Sequence, residues 1–198
     1  MTADCPELVW LLDCLRRACR GQLGCPPRSP LDSHKLFTLA NRHGVAPLLY
    51  WQLRDSETVA SELPEWRSQL EAQFQASLRR NFLLSSALVK LLDALRQQAI
   101  AAITFKGPAL AAQLYGNLGL RQVSDIDILV APADLAAAQA VLAMLGYEPL
   151  EPLTAPQAEL RQRTNYERAW LQPQRGVNVD LHWGLARPIS PNQWRSLP

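Results

Sequence analysis

The chain has 198 residues, of which 48% are hydrophobic, and its 20 basic and 18 acidic side chains leave a net charge of +2. This size and composition predict a folded globular protein with one generous domain or two small ones. The apolar runs are well short of the ~20 residues that cross a bilayer, and the start MTADCPELVW lacks the basic residues of a signal peptide, so we expect no membrane association and a cytoplasmic location. Because no run of Lys or Arg is long enough to follow a phosphate backbone, a large nucleic acid is disfavoured as a partner.

The first hundred residues are predicted to be helical. The segment from Pro6 to Arg20 carries apolar side chains at three- and four-residue spacing. Two short helices follow. The first is HKLFTLANRHG, which Asp32 or Ser33 can cap, and the second is APLLYWQLRD. From Pro64 to about Gln98 there is no Gly or Pro and the apolar periodicity continues, which predicts one long helix.

The pattern changes at Ile100. The run AAITF predicts a strand, GPALAAQLYG a helix, DIDILV a strand and PADLAAAQAVLAMLG a helix, before two strands, YERAWLQ and GVNVDLHW, that the turn PQRG joins. This order is typical of a small mixed sheet with helices on one side. We therefore expect an α+β fold in which a helical N-terminal region, residues 1–99, is packed on a mixed-sheet domain, residues 100–198.

Two aspartates stand one residue apart in DIDILV, on a strand that is otherwise apolar. Side chains at i and i+2 project from the same face of a strand, so Asp125 and Asp127 point one way while Ile126 and Ile128 point the other. An unpaired charge is costly to bury, which favours a cation beside the pair; the alternative is a strand-end pair that caps a loop or pairs with Arg121. Magnesium is usually held by one or two carboxylates plus phosphates, so the pair predicts a nucleoside triphosphate as ligand.

A third acid occurs in GVNVDLHW, where Asp180 alternates with apolar Val179 and Leu181 and so lies on the polar face of another strand. Three acids on adjacent strands can hold two metal ions, or one metal ion and an activated hydroxyl group. Asp180 is therefore a candidate to bind the second metal or to accept the proton of an acceptor. His182 lies on the same face and either touches the site or packs beside Trp183 as an ordinary strand residue.

The segment TFKGPAL predicts a strand-to-helix turn at Lys106 and Gly107. A glycine there lets phosphate oxygens approach the backbone, and the following helix offers its N-terminal N–H groups. Lys106 or Arg121 could supply the positive charge for a triphosphate. The alternatives are a solvated lysine at a strand end and an arginine that pairs with the acids.

These blocks, together with LANRHGVAPLLYWQL, resemble the nucleotidyltransferase superfamily that shares the DNA polymerase beta palm. They are most similar to an uncharacterised bacterial branch with a helical N-terminal region, over about residues 34 to 185. DIDILV followed by VDLHW is the most specific part of this resemblance. It implies that Asp125 and Asp127 are the paired metal-binding carboxylates, Asp180 the third, and Gly107 the glycine that contacts phosphate.

The chain departs from the superfamily pattern at the turn. The usual order is a hydrophobic residue, then Gly, then Gly or Ser, whereas this chain has Phe105, Lys106, Gly107 and Pro108. Because Pro108 has no N–H to offer a phosphate, Lys106 is the candidate to replace that contact. Related chains commonly continue with further helices, which leaves open that these residues are the front part of a longer enzyme.

The resemblance implies a Mg²⁺-dependent or Mn²⁺-dependent nucleotidyltransferase. It would bind a nucleoside triphosphate such as ATP, transfer the nucleoside monophosphate to a small-molecule or protein acceptor, and release pyrophosphate. The alternative is a catalytically inactive module of the same fold that binds a nucleotide or a partner protein. The expected catalytic and metal-binding residues are Asp125, Asp127 and Asp180, the nucleotide-binding residues are Lys106, Gly107 and Arg121, and His182 is a further candidate.

Overall fold

A computed structural model describes residues 5–22, 24, 26 and 31–186. Grouping residues by their contacts divides the chain into two compact units. The first unit comprises Met1–Phe82 and Ala111–Val123, and the second comprises Leu83–Leu110 and Ser124–Pro198. The expected domain boundary between residues 99 and 100 stays a prediction, because a grouping by contacts does not identify parts that fold alone.

The helical N-terminal region follows the apolar periodicity of its sequence. Its helices are α1 (Pro6–Cys19), α2 (Ser33–Arg42), α3 (Ala46–Leu53), α4 (Glu57–Glu62) and α5 (Pro64–Gln97). Asp32 caps α2 by accepting a hydrogen bond from the Lys35 N–H at 3.0 Å, which satisfies one of the free donors of the first turn. The first unit has an apolar core whose largest fully buried members include Leu11, Leu36, Leu49, Leu53 and Leu70. Each such leucine contributes about 1.5–3 kcal/mol by leaving water.

Two buried polar side chains of α5 hold a loop within the first unit. Ser77 Oγ donates a hydrogen bond to the carbonyl oxygen of Arg121 at 3.1 Å. The fully buried Asn81 donates from Nδ2 to the same carbonyl at 2.7 Å and to the carbonyl of Leu118. Because an unsatisfied buried polar group costs about 1–3 kcal/mol, these bonds stabilise one conformation of the loop that leads into DIDILV.

The second unit is built on a mixed sheet. Within the described residues its strands are β1 (Ala102–Thr104), β2 (Asp125–Val130), β3 (Glu148–Pro149), β4 (Glu167–Gln172) and β5 (Val177–His182), in the order β1-β2-β5-β4-β3. Strands β2 and β5 are parallel, and the other neighbouring pairs are antiparallel. The later helices of the chain are α6 (Gly107–Tyr115), α7 (Leu135–Met144) and α8 (Ala155–Thr164). The predicted α+β fold class is confirmed.

The pleat of β2 and β5 separates an apolar face from a polar one. Ile126 and Ile128 of β2 and Val179 and Leu181 of β5 share one face and are at most 1% exposed. The residues between them, which include the aspartates, point to the opposite face. Burial of the branched side chains thus stabilises the sheet and also determines which face carries the acids.

The observed helices and strands agree with the predicted ones wherever the apolar periodicity is long or a turn signal is clear. The six predicted helices and the four predicted strands are all present, and Gly176 closes the PQRG turn with φ at +60°. Helices α4 and α8 and the two-residue strand β3 were not predicted, because each is too short or too polar to carry a clear period. Among the described residues, no helix combines the length and apolar character that a bilayer crossing requires.

Candidate active site

The register of the sheet gathers acidic side chains on its polar face. Asp127 of β2 lies directly opposite Asp180 of the parallel strand β5. In the hairpin between β4 and β5, Glu167 lies opposite His182. Side chains at these positions project from the same face, because residues opposite each other in a ladder point the same way. Acids from three strands are thus brought together with one histidine.

Asp127 is the buried centre of this group, with 4% of its surface exposed. Its Oδ1 atom lies 3.3 Å from Lys106 Nζ and 3.1 Å from His182 Nε2. A buried carboxylate is stabilised by such cationic or donor partners, because burial alone would favour its uncharged form. The hydrogen bond from Lys106 shows that this lysine lies beside the acids, while its side chain is also exposed to solvent.

His182 is held in a fixed orientation by two aromatic rings. Phe105 meets it edge to face with ring centroids 5.0 Å apart, and Tyr166 stacks on it at 6.0 Å. The imidazole is 2% exposed, with Nε2 toward Asp127 and Nδ1 3.2 Å from Glu167 Oε2. Among the described residues this buried Nδ1 atom makes no hydrogen bond, although Glu167 Oε2 lies close by. Of the two interpretations of His182, the structure supports contact with the acids.

The turn between β1 and α6 approaches β2 because residue 107 is glycine. Gly107 has φ at +61°, and a Cβ atom there would lie 3.1 Å from the carbonyl oxygen of Asp125. Both the left-handed backbone and this close contact favour glycine. The close approach lets the preceding Lys106 reach Asp127 across the strand pair.

Replacement of Gly107 by alanine is expected to destabilise the protein and to disturb the site. A left-handed L-residue costs about 1–2 kcal/mol, and the tight contact with the carbonyl oxygen of Asp125 adds to that cost. Gly176→Ala is the matched control, since Gly176 has φ at +60° but no atom within 4 Å of the added Cβ. Chemical denaturation should show a larger loss for Gly107→Ala than for Gly176→Ala; equal losses would contradict the close contact.

The charges of the acids act on one another. Burial is the largest cause that raises the pKa of the Asp180 carboxyl above its ordinary value. Three nearby carboxylates raise this pKa further, those of Asp125, Asp127 and Glu167. The pKa of Lys106 is also raised, mainly by its hydrogen bond to Asp127, so its ammonium group is charged at neutral pH. Four carboxylates against one ammonium leave a local excess of negative charge, which favours a bound cation.

Asp127, Asp180 and His182 offer ligand atoms that all lie within 4.8 Å of one another, so this group can hold a divalent metal ion. Two of the three predicted metal ligands, Asp127 and Asp180, are therefore adjacent, and His182 lies beside them. Asp125 is half-buried and its Oδ2 accepts a hydrogen bond from Ser124 Oγ at 2.9 Å. Its role as a metal ligand stays a prediction.

Arg121 belongs to the first compact unit, where its carbonyl oxygen accepts the hydrogen bonds of Ser77 and Asn81. The contact of Arg121 with a triphosphate stays a prediction. The contact of Gly107 with phosphate stays a prediction as well.

Glu167 is the site residue that the sequence analysis missed. Its strand was predicted, and so was the turn that joins this strand to β5. A four-residue loop connects Gln172 to Val177 and so sets the register of the whole hairpin. In this register Glu167 lies opposite His182. The turn therefore already indicated that Glu167 lies opposite His182. This identifies Glu167 as a site residue only when His182 is known to face the acids.

A protein-family model described as an uncharacterised nucleotidyltransferase matches residues 29–197. The chain belongs to this nucleotidyltransferase family. No curated protein and no solved structure matches the chain. The family match covers every predicted site residue, from Lys106 to His182, and confirms the resemblance to nucleotidyltransferases. An arrangement of acids that can hold a metal ion is in keeping with this family.

Proposed function

We propose that the protein is a metal-dependent nucleotidyltransferase that acts on a nucleoside triphosphate and a small-molecule or protein acceptor. The observation that carries the proposal is the adjacency of Asp127 and Asp180 across β2 and β5, with Lys106 on the same carboxylate, in a member of a nucleotidyltransferase family. In the reaction an acceptor oxygen or nitrogen bonds to the α-phosphorus. The bond from that phosphorus to the bridging oxygen breaks, and pyrophosphate leaves with the electron pair.

The donor set fits Mg²⁺ or Mn²⁺. Carboxylate oxygens suit both ions, and the repulsion among the acids, visible in the raised pKa of Asp180, would be relieved by a divalent cation. Asp127 and Asp180 would hold the ion, with Asp125 as a further ligand from the same strand. The bound ion would neutralise the charge that develops on the transferred phosphoryl group.

Asp180 is the candidate to take the proton from the acceptor. Its half-buried position and its acidic neighbours raise its pKa, which makes the carboxylate a stronger base than an ordinary aspartate. Asp127 is less suited to this task, because its Oδ1 is already engaged by Lys106 and His182. In this proposal both acids hold the ion, and Asp180 alone also accepts the proton.

The turn that follows β1 would bind the triphosphate. The Lys106 side chain is 53% exposed, so its ammonium group can contact Asp127 and still reach a phosphate oxygen. Helix α6 begins at Gly107, and its first turn offers N–H groups to an anion, although Pro108 contributes none.

Pro108 also favours a second candidate, a module that binds a nucleotide or a partner protein without catalysis. Its lack of an N–H removes one backbone donor from the helix start that would bind phosphate. Calorimetry separates the two functions: nucleotide affinity that persists in EDTA favours the module, whereas the enzyme needs metal for productive binding.

A transfer assay tests the proposed function. The full chain is incubated with each α-labelled nucleoside triphosphate, Mg²⁺ or Mn²⁺, and pools of small-molecule or protein acceptors. The expected result is label on an acceptor together with pyrophosphate in equal amount, both lost in EDTA. Label that appears equally with and without metal would contradict the proposal.

A further inference from the structure

We propose that His182 supplies a nitrogen ligand to the divalent cation of this site and that Glu167 is the positioning residue that orients it; the proposal rests on the function proposed above. The expected ligands from the sequence are all carboxylates. The structure adds an imidazole and, behind it, a fourth acid. This changes the chemistry of the site, because nitrogen and oxygen ligands favour different metals.

The spacing of the ligand atoms fits a shared ion. Neighbouring ligands on an octahedral ion with bonds of about 2.1 Å are roughly 3 Å apart, and opposite ones roughly 4.2 Å. His182 Nε2 lies 3.1 Å from Asp127 Oδ1, which matches neighbouring ligands, and the ligand atoms of Asp127, Asp180 and His182 all lie within 4.8 Å of one another, so a pair at that limit needs only a small inward movement to share an ion. The same distance also fits a direct hydrogen bond from Nε2 to Asp127. The experiment must therefore distinguish metal ligation by His182 from this hydrogen bond.

The surroundings of the ring support ligation by Nε2. Phe105 and Tyr166 contact the imidazole, and with 2% of its surface exposed it has little freedom to turn. A histidine that binds a metal usually donates its other ring N–H to a carboxylate or carbonyl group. Glu167 Oε2 is 3.2 Å from Nδ1, and its side chain is 36% exposed, which leaves it free to complete the alignment. A hydrogen on Nδ1 directed at Glu167 leaves the lone pair of Nε2 for the metal.

The consequence is a preference among divalent metals. Magnesium favours oxygen ligands, whereas imidazole suits zinc, copper, iron and nickel, and manganese accepts both oxygen and nitrogen. We therefore expect Mn²⁺ to bind the free protein more tightly than Mg²⁺. In His182→Gln this preference should shrink, because the remaining ligands are carboxylate oxygens.

Pulsed electron paramagnetic resonance of bound Mn²⁺ tests the ligation directly. The untagged 198-residue chain is loaded with less than one equivalent of Mn²⁺, and the echo modulation from a coordinated ¹⁴N nucleus is recorded. Wild type should show this modulation, and protein with ¹⁵N only in its histidines should show the ¹⁵N pattern in its place. The chain has three histidines. His43→Gln is the matched control, since His43 follows α2 and is not among the described residues whose ligand atoms cluster at this site, so its change should leave the modulation intact.

Glu167 is tested by Mn²⁺ affinity. Loss of a carboxylate behind a metal-binding histidine typically weakens metal binding 10–100-fold, so Glu167→Gln should show a loss of about that size. Glu167→Asp should recover part of it, because a carboxylate is retained. An unchanged affinity in Glu167→Gln would overturn the positioning role, since a residue that only supports the fold would alter stability and not affinity.

The outcomes separate this inference from the proposed function. Bound Mn²⁺ without histidine modulation overturns the ligation by His182, while metal-dependent transfer would still stand. Histidine modulation without any transfer supports the ligation and removes the proposed function. No binding of Mn²⁺ overturns the ligation by His182, and the transfer assay with Mg²⁺ then decides the proposed function. If His182→Gln fails to fold, the isotope experiment on the double variant His34→Gln/His43→Gln, in which His182 is the only histidine, decides the question.

Discussion

Replacing Asp127 with asparagine is expected to lower nucleotidyl transfer by about 10³-fold or more. Metal-assisted charge stabilisation is worth several kcal/mol, and each 1.36 kcal/mol corresponds to a tenfold change in rate. Asp127 is buried, lies opposite Asp180, and contacts both Lys106 and His182, so its charge affects every other group of the proposed site. Asparagine has almost the same shape but no charge. The measurement is the single-turnover transfer rate at saturating triphosphate and metal.

The control for this variant separates chemistry from folding. Asp93→Asn makes the same change at an exposed position of α5 within the second unit and should leave the rate unchanged. Thermal unfolding of both variants shows whether the loss of the charge at Asp127 also affects stability. If Asp127→Asn is folded and transfers as fast as wild type, the proposed role of the acids is wrong.

Replacing Lys106 with methionine is expected to lower kcat/KM for the triphosphate by about 10- to 100-fold. A hydrogen bond to a charged group is worth about 1.5–3 kcal/mol, and methionine keeps the length of the side chain but neither its charge nor its donors. Lys106 is the cation that contacts Asp127 from the turn before α6. The loss should be larger at low salt than at high salt, because screening weakens the attraction of an exposed ammonium for phosphate.

Steady-state kinetics with the triphosphate as varied substrate measure this effect. Lys90→Met is the matched control, since Lys90 is exposed on α5 of the same unit. Unchanged kcat/KM in Lys106→Met would show that this lysine serves only to balance the charge of Asp127. In that case the variant should instead change metal affinity, because the carboxylate would lose its nearest positive charge.

Several parts of the site follow from local sequence, because local sequence controls the direction of side chains in a strand. The DID pattern determines that Asp125 and Asp127 share a face, and the alternation in VNVDLH does the same for Asp180 and His182. The turn at Gly107 is also a local property, since only glycine readily adopts its positive φ. These predictions depend on residues only a few positions apart.

The register between β2 and β5 could not be predicted from local sequence. These strands are parallel and separated by about fifty residues, so no tight turn determines which residue of β5 lies opposite Asp127. Their register follows from the packing of Ile126, Ile128, Val179 and Leu181 on the buried face. A shift by one residue would turn the β5 acid away from the β2 pair, and a shift by two would separate them along the sheet.

The sequence by itself thus determined the α+β class, the long helix α5, the face on which each acid lies and the membership of a nucleotidyltransferase family. The reason is that helical periodicity, strand alternation and glycine turns act over a few residues. Only the tertiary structure decided that Asp127 meets Asp180, that His182 turns its Nε2 atom toward Asp127, and that Glu167 lies behind the imidazole. These contacts join distant strands, and their geometry depends on how the buried face of the whole sheet packs.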